Sequence, residues 1–187
     1  LAERQIARAK AAFTKPLAAA EGKTALILGS TTFGYGSSTA IALKEAGFSK
    51  IIGLGYETPP TFRKEKVAMA PAGWYLTAAL HNAYPGQRTY FADGFADETR
   101  DRVIADLKEA GDGIDLLLYS VAAPRRTHLG ETWSSALKVI GEPLDVVGLD
   151  YSSGEHKEVS LEPASELEIE QTRRVMGGDD LDLWANA

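Results

Sequence analysis

The chain has 187 residues, 44% of them hydrophobic, and a net charge of −6. That is enough apolar material for one core, while the acidic balance excludes the basic face that nucleic-acid binding needs. No apolar run reaches the roughly 20 residues of a membrane span. No cysteine is present, so disulfides and thiolate metal sites are excluded, and three scattered histidines give no zinc pattern, so no metal site is expected.

Residues 1–22 read as an amphipathic helix over 2–13 and a loop containing Pro16 and Gly22. Residues 24–28 form a short buried-type strand, 39–46 a helix closed by Gly47, and 50–56 a second strand. A proline- and lysine-containing connection over 58–71 leads to a helical stretch around 73–80. Residues 88–92 read as a third strand, and 97–110 as a helix with Val103, Ile104 and Leu107 on one side. Residues 114–122 are apolar almost throughout, as expected of a strand covered on both faces. The alternation predicts an α/β fold, a Rossmann-type parallel sheet with helices on both faces.

Beyond it come a basic loop over 124–128 and a hairpin pairing 145–150 with 158–162. A helix over 166–176 opens on a capping box, Ser165 with Glu168, and stops at Gly177 and Gly178. Another helix opens at Asp179 and Asp180 and carries Leu181, Leu183 and Trp184. Two domains are expected: 1–22, a helix and loop, and 23–187, a dinucleotide-binding domain incomplete at its C-terminus. A start at Leu1 and an end inside a helical pattern suggest a piece of something longer, and the absence of a signal-peptide pattern points to the cytoplasm.

The stretch from Leu26 to Gly36 is an apolar strand running into a glycine-rich turn and a helix, the order a dinucleotide site needs. The first glycine turns the chain off the strand, and the following N–H groups meet a pyrophosphate at the helix N-terminus. Gly29, Gly34 and Gly36 equally suit a plain strand-to-helix turn. Glu57, at the end of the second strand, stands where a carboxylate bonds the adenosine ribose and repels a 2′-phosphate, favouring NADH over NADPH. A solvated strand-end acid is the alternative. Asp93 borders the adenine position, or else simply forms an Asp-Gly turn. Ser120, Val121, Ala122 and Ala123 give the small residues needed beside a nicotinamide ribose, or plain helix–strand packing. Arg125 and Arg126 are solvated or bind a phosphate. His128 shows no carboxylate or serine at a catalytic spacing in the sequence and reads as a loop histidine, and Trp74, Tyr75 and Trp184 read as core or interface aromatics.

Several long strings now carry a resemblance: Gly73-Trp-Tyr75, the runs from Ala92 to Glu98 and from Asp115 to His128, those from Ser135 to Gly141 and from Val159 to Ala164, and Val175 to Trp184. They are similar, in order and across nearly the whole chain, to the FabV-type enoyl-acyl-carrier-protein reductases and trans-2-enoyl-CoA reductases. The resemblance implies a monomeric short-chain-dehydrogenase-like enzyme that reduces the C2–C3 double bond of an enoyl-CoA or enoyl-ACP with NADH. Hydride goes to the β-carbon, and a tyrosine hydroxyl near a lysine stabilises the enolate. The NAD contacts it implies are Gly29, Ser30, Thr31, Thr32, Gly34, Tyr35, Tyr56, Glu57, Asp93, Gly94, Val121 and Ala122.

Two departures stand out. The turn carries one residue more before Gly34-Tyr35-Gly36 than the family's pattern. The family's catalytic Tyr-x8-Lys lies downstream of its Met-Gly-Gly-acidic-acidic helix, so no catalytic residue is expected here. The chain then reads as the cofactor-binding half of the reductase, completed by a C-terminal segment or a second polypeptide, and inactive alone. A non-catalytic homologue serving as a binding or scaffolding subunit is the second reading.

Overall fold

The computed structural model describes residues 2–12, 17–31, 35–63, 66–68 and 72–187. They form two compact units, 1–122 with 184–187, and 123–183.

In the first unit, α1 (Ala2–Ala12) is followed by β1 (Thr24–Leu28), α2 (Tyr35–Ala46) and β2 (Lys50–Gly55). A short antiparallel pair, β3 (Thr61–Arg63) and β4 (Lys66–Ala68), precedes α3 (Ala72–Ala83). Then come β5 (Arg88–Phe91), α4 (Asp97–Ala110) and β6 (Leu116–Tyr119). The main sheet is parallel, in the order β5-β2-β1-β6. It is the expected Rossmann-type α/β arrangement, with the first strand central.

β1 is buried at every position, because its alternating side chains enter two different cores. Leu26 and Leu28 pack with Ile52, Leu54, Val103 and Leu107 on the α4 side. Ala25 and Ile27 pack with Ala40 and Ile51 on the α2 side. A third cluster joins α1, α2 and α3 through Ile6, Ile41, Leu76, Leu80 and Tyr84. Tyr84 Oη donates to Glu45 (2.6 Å), fixing the end of α3 to α2. Trp184 belongs to the α4-side core, and its Nε1–H donates to Gly94 O at 3.1 Å. Among the described residues no helix is long and apolar enough to cross a membrane.

The second unit contains the hairpin of β7 (Arg125–His128) and β8 (Glu131–Ser134), and that of β9 (Leu144–Leu149) and β10 (His156–Leu161). α5 (Glu166–Met176) follows, then the start of α6 (Asp179–Ala185). The expected basic loop over 124–128 is therefore a strand. Its turn, Leu129 (φ 51°) and Gly130 (φ 81°), puts two residues at positive φ, a geometry usually announced by Asn-Gly or Asp-Gly. Arg126 is corrected as well. It is 3% exposed, faces Asp180 at 3.5 Å and donates to Arg174 O at 2.9 Å, so it is neither solvated nor open to a phosphate. A buried arginine is kept this way only with charge and carbonyl partners.

The capping box of α5 is as expected. Glu168 N donates to Ser165 Oγ at 3.2 Å and Ser165 N to Glu168 Oε2 at 2.9 Å. Hydrogen bonding from Lys138 and then from the Ser165 amide pushes the Glu168 carboxyl down to about 2. A depressed folded value gives stability that is present above the ordinary value near 4.5 and is lost as pH falls toward 2. Amide exchange in the first turn of α5 should accordingly rise, relative to intrinsic rates, between those limits, and the acid dependence should vanish in Glu168→Gln.

Trp184→Ala should destabilise the first unit by about 3–5 kcal/mol, read by denaturant unfolding. Trp184→Phe keeps most of the packing and should cost about 1–2 kcal/mol, chiefly the Nε1–Gly94 bond.

Candidate dinucleotide-binding cleft

At the C-terminal end of β1 the backbone turns on Gly29, at φ +82°. Gly29 N and Ser30 N both donate to Leu54 O, at 2.8 and 3.0 Å, holding the turn against the end of β2. A Cβ on Gly29 would lie 2.1 Å from Ser120 O, and one on Gly36 would lie 2.0 Å from Gly29 O. No side chain fits at either position. The outcome is a close junction of β1, the loop after β6 and the first turn of α2, whose leading N–H groups have no intrahelical partner.

Around this junction lies a cleft of about 480 Å3, open to solvent and contained within the first unit. Seven of the expected cofactor residues line it: Gly29, Thr31, Tyr56, Glu57, Gly94, Val121 and Ala122. Clefts at the carboxyl ends of parallel strands, beside the central strand, are where open α/β sheets take ligands. The position follows from topology and would be the same whatever the side chains.

Glu57 is set by two glycines. A Cβ at Gly55 would stand 2.7 Å from Glu57 Oε2, and one at Gly73 would stand 2.4 Å from Glu57 Oε1. The carboxylate therefore lies against the first turn of α3, where partial positive charge gathers. Its Oε2 is buried and has no hydrogen-bond partner among the described residues. An unsatisfied buried carboxylate oxygen costs free energy, and here it borders a cleft. That is what a hydroxyl-bearing ligand would satisfy.

The remaining expected residues are placed differently. Ser30 is buried, and its Oγ occupies the space a Cβ on Gly53 would need, under β2 and outside the cleft lining. Asp93 Oδ1 accepts from Phe95 N at 2.9 Å, so its Asp-Gly turn is formed. Tyr35 is exposed at the start of α2. Thr32 and Gly34 lie outside the described residues. Ser120, expected beside the nicotinamide ribose, lines the cleft as well, and Gly55, Gly73, Leu54 and Ala92 take part without having been singled out as contacts. The Gly53-x-Gly55 spacing in β2 and Gly73 ahead of Trp74 were the available signals.

Among the described residues no His, Asp and Glu group is placed to hold a metal ion. One Tyr-x8-Lys spacing does occur in the chain, Tyr35 with Lys44, upstream of where the family's pair is expected. Both are on α2, where nine residues amount to about 13 Å along the axis and half a turn around it. Lys44 Nζ instead donates to Phe48 O and Ser49 O, each at 2.9 Å, closing the C-terminal end of α2. This pair cannot share one substrate oxygen.

The family model described as "Trans-2-enoyl-CoA reductase catalytic region" matches residues 68–187, well over half of the chain. The chain belongs to this family. A trans-2-enoyl-CoA reductase [NADH] of Clostridium perfringens is 38% identical over 88% of the chain and 43% of its own length. An enoyl-[acyl-carrier-protein] reductase [NADH] of Coxiella burnetii is 39% identical over 87% of the chain and 40% of its own length. The Treponema denticola trans-2-enoyl-CoA reductase, solved in complex with NAD, superimposes with a TM-score of 0.86 at 32% identity, covering 99% of this chain and 47% of that one. The chain thus spans less than half the length of the relatives it matches.

Gly29→Ala should destabilise the first unit by about 3 kcal/mol, since strain and a backbone clash combine. Gly86→Ala, at φ +88° with nothing within 4 Å of a Cβ, should cost only the about 1–2 kcal/mol of a left-handed residue. Chemical denaturation of both variants separates close approach from conformation.

Proposed function

We propose that this chain is the cofactor-binding half of an NADH-dependent enoyl-thioester reductase acting on an enoyl-CoA or enoyl-acyl-carrier-protein in lipid metabolism. The observation that carries the reading is Glu57, a carboxylate with a buried, unsatisfied oxygen at the tip of β2, in a chain that superimposes on a relative solved in complex with NAD. NADH, when bound, supplies the hydride for the C2–C3 double bond.

The chain's own residues supply binding and orientation. Glu57 accepts from the adenosine ribose hydroxyls, and its charge opposes a 2′-phosphate. The first turn of α2, reached through Gly29, Thr31, Thr32 and Gly34, offers backbone N–H groups to the pyrophosphate. Tyr56 and Asp93-Gly94 flank the adenine. Val121 and Ala122 bring backbone and small side chains close to the nicotinamide ribose. The tyrosine and lysine that stabilise charge on the thioester oxygen come from a complementary segment or polypeptide, because Tyr35 and Lys44 diverge on α2. The expected setting is the cytoplasm.

Fluorescence titration tests the assignment of Glu57. Glu57→Gln should weaken NADH binding about 10- to 100-fold, as expected for losing charge-assisted hydrogen bonds, and narrow the preference over NADPH. Unchanged affinity and preference would remove the assignment. The 187-residue chain alone should show no NADH oxidation with crotonyl-CoA; turnover by rigorously pure material would contradict the half-enzyme reading.

A further inference from the structure

Unit 123–183 has little apolar interior. Val175 is its only fully buried apolar side chain, whereas Leu137, Ile140, Leu167 and Met176 stand exposed. Exposed apolar surface of this extent marks an interaction site rather than a finished exterior.

The surface has a defined shape. α5 presents Ile169, Thr172 and Met176 at the i, i+3, i+7 spacing of one helical face. The opposite wall is the 136–140 segment, held by the Val139–Pro163 bridge and by Ala164 N donating to Val139 O at 2.8 Å. Ala136 N donates to Thr172 Oγ1 at 2.9 Å, tying the wall to the helix. Between them runs a groove of about 700 Å3 with Ile140, Ile169, Met176 and two alanines in its lining. The two cations on its rim are already matched, Lys138 to Glu168 at 2.6 Å and Arg173 to Glu170 at 2.9 Å. With its charges paired in place, the groove selects an apolar occupant over an anion such as the phosphates of a thioester carrier.

A trough along a helix, with apolar groups at helical spacing, accepts the apolar face of another helix. The whole groove lies within the family-matched residues. The relatives carry more polypeptide beyond the matched part than within it, since the match takes in 43% of the Clostridium perfringens enzyme and 47% of the Treponema denticola one. We propose that the Ile140–Ile169–Met176 groove docks an amphipathic helix of the polypeptide that carries the catalytic tyrosine and lysine. The inference rests on the half-enzyme reading above.

The absence of cysteine in the chain makes single-cysteine labelling clean. Ile169→Cys and Met176→Cys, with Glu109→Cys on α4 as reference, are labelled with a maleimide in the full 187-residue chain. Labelling is repeated with the C-terminal remainder of the Treponema denticola reductase supplied as a separate polypeptide, and crotonyl-CoA reduction is followed in parallel. The expected result is restored reduction, with labelling at 169 and 176 slowed at least tenfold and the reference unchanged. Restored reduction with undiminished labelling overturns the docking site and leaves the half-enzyme reading standing. Neither reduction nor protection overturns both. Protection that grows with the concentration of the chain alone assigns the groove to a second copy and overturns the proposal.

Discussion

At Gly29 three pieces of backbone meet with no room for a methyl group. The end of β1, the carbonyl of Ser120 and the first turn of α2 approach so closely that a Cβ on Gly29 or Gly36 would stand about 2 Å from a carbonyl oxygen. The geometry of the cleft depends on that contact. It brings the α2 N-terminus to the carboxyl edge of the sheet, opens the cleft between β1 and its neighbours, and fixes the path of Val121 and Ala122 along one wall. Gly55 and Gly73 repeat the device at the other end, where they leave space for the Glu57 carboxylate. The sheet supplies position and the glycines supply proximity. Under the proposed function, the chemistry of recognition is assigned to one carboxylate and a helix N-terminus.

Legibility in the sequence followed the range of the interactions. β1 at Thr24–Leu28, α4 at Asp97–Ala110 and α5 at Glu166–Met176 have the limits read from pattern and caps alone, because their signals are local. α2 begins at Tyr35 rather than 39, since Gly36 looks like loop in the sequence while its close contact with Gly29 sits inside the helix. The strand over Arg125–His128 was hidden by its own composition: two arginines look solvated until Asp180, far along the chain, is placed beside Arg126. Glu57 was readable from its distance beyond the glycine turn. The glycines that seat it were not, because their neighbours Thr31 and Glu57 are brought to them only by folding.

The two units differ in what sustains them. The first has apolar clusters on both faces of its sheet and a third among its helices. The second rests on paired hairpin backbones, a capped helix and a buried ion pair, with most of its large apolar side chains turned outward. Hairpins alone are marginal in water, and apolar side chains turned outward add little to the unit's own core. The chain spans less than half the length of the relatives it matches.

The central claim is that the cleft at the strand ends holds NADH through Glu57 and the α2 N-terminus. A crystal structure of the 187-residue chain grown with NADH tests it directly. The account predicts the adenosine ribose hydroxyls within hydrogen-bond distance of Glu57, the pyrophosphate against the first turn of α2, and the nicotinamide ribose beside Val121 and Ala122. A dinucleotide bound elsewhere, or a ribose turned away from Glu57, would contradict it.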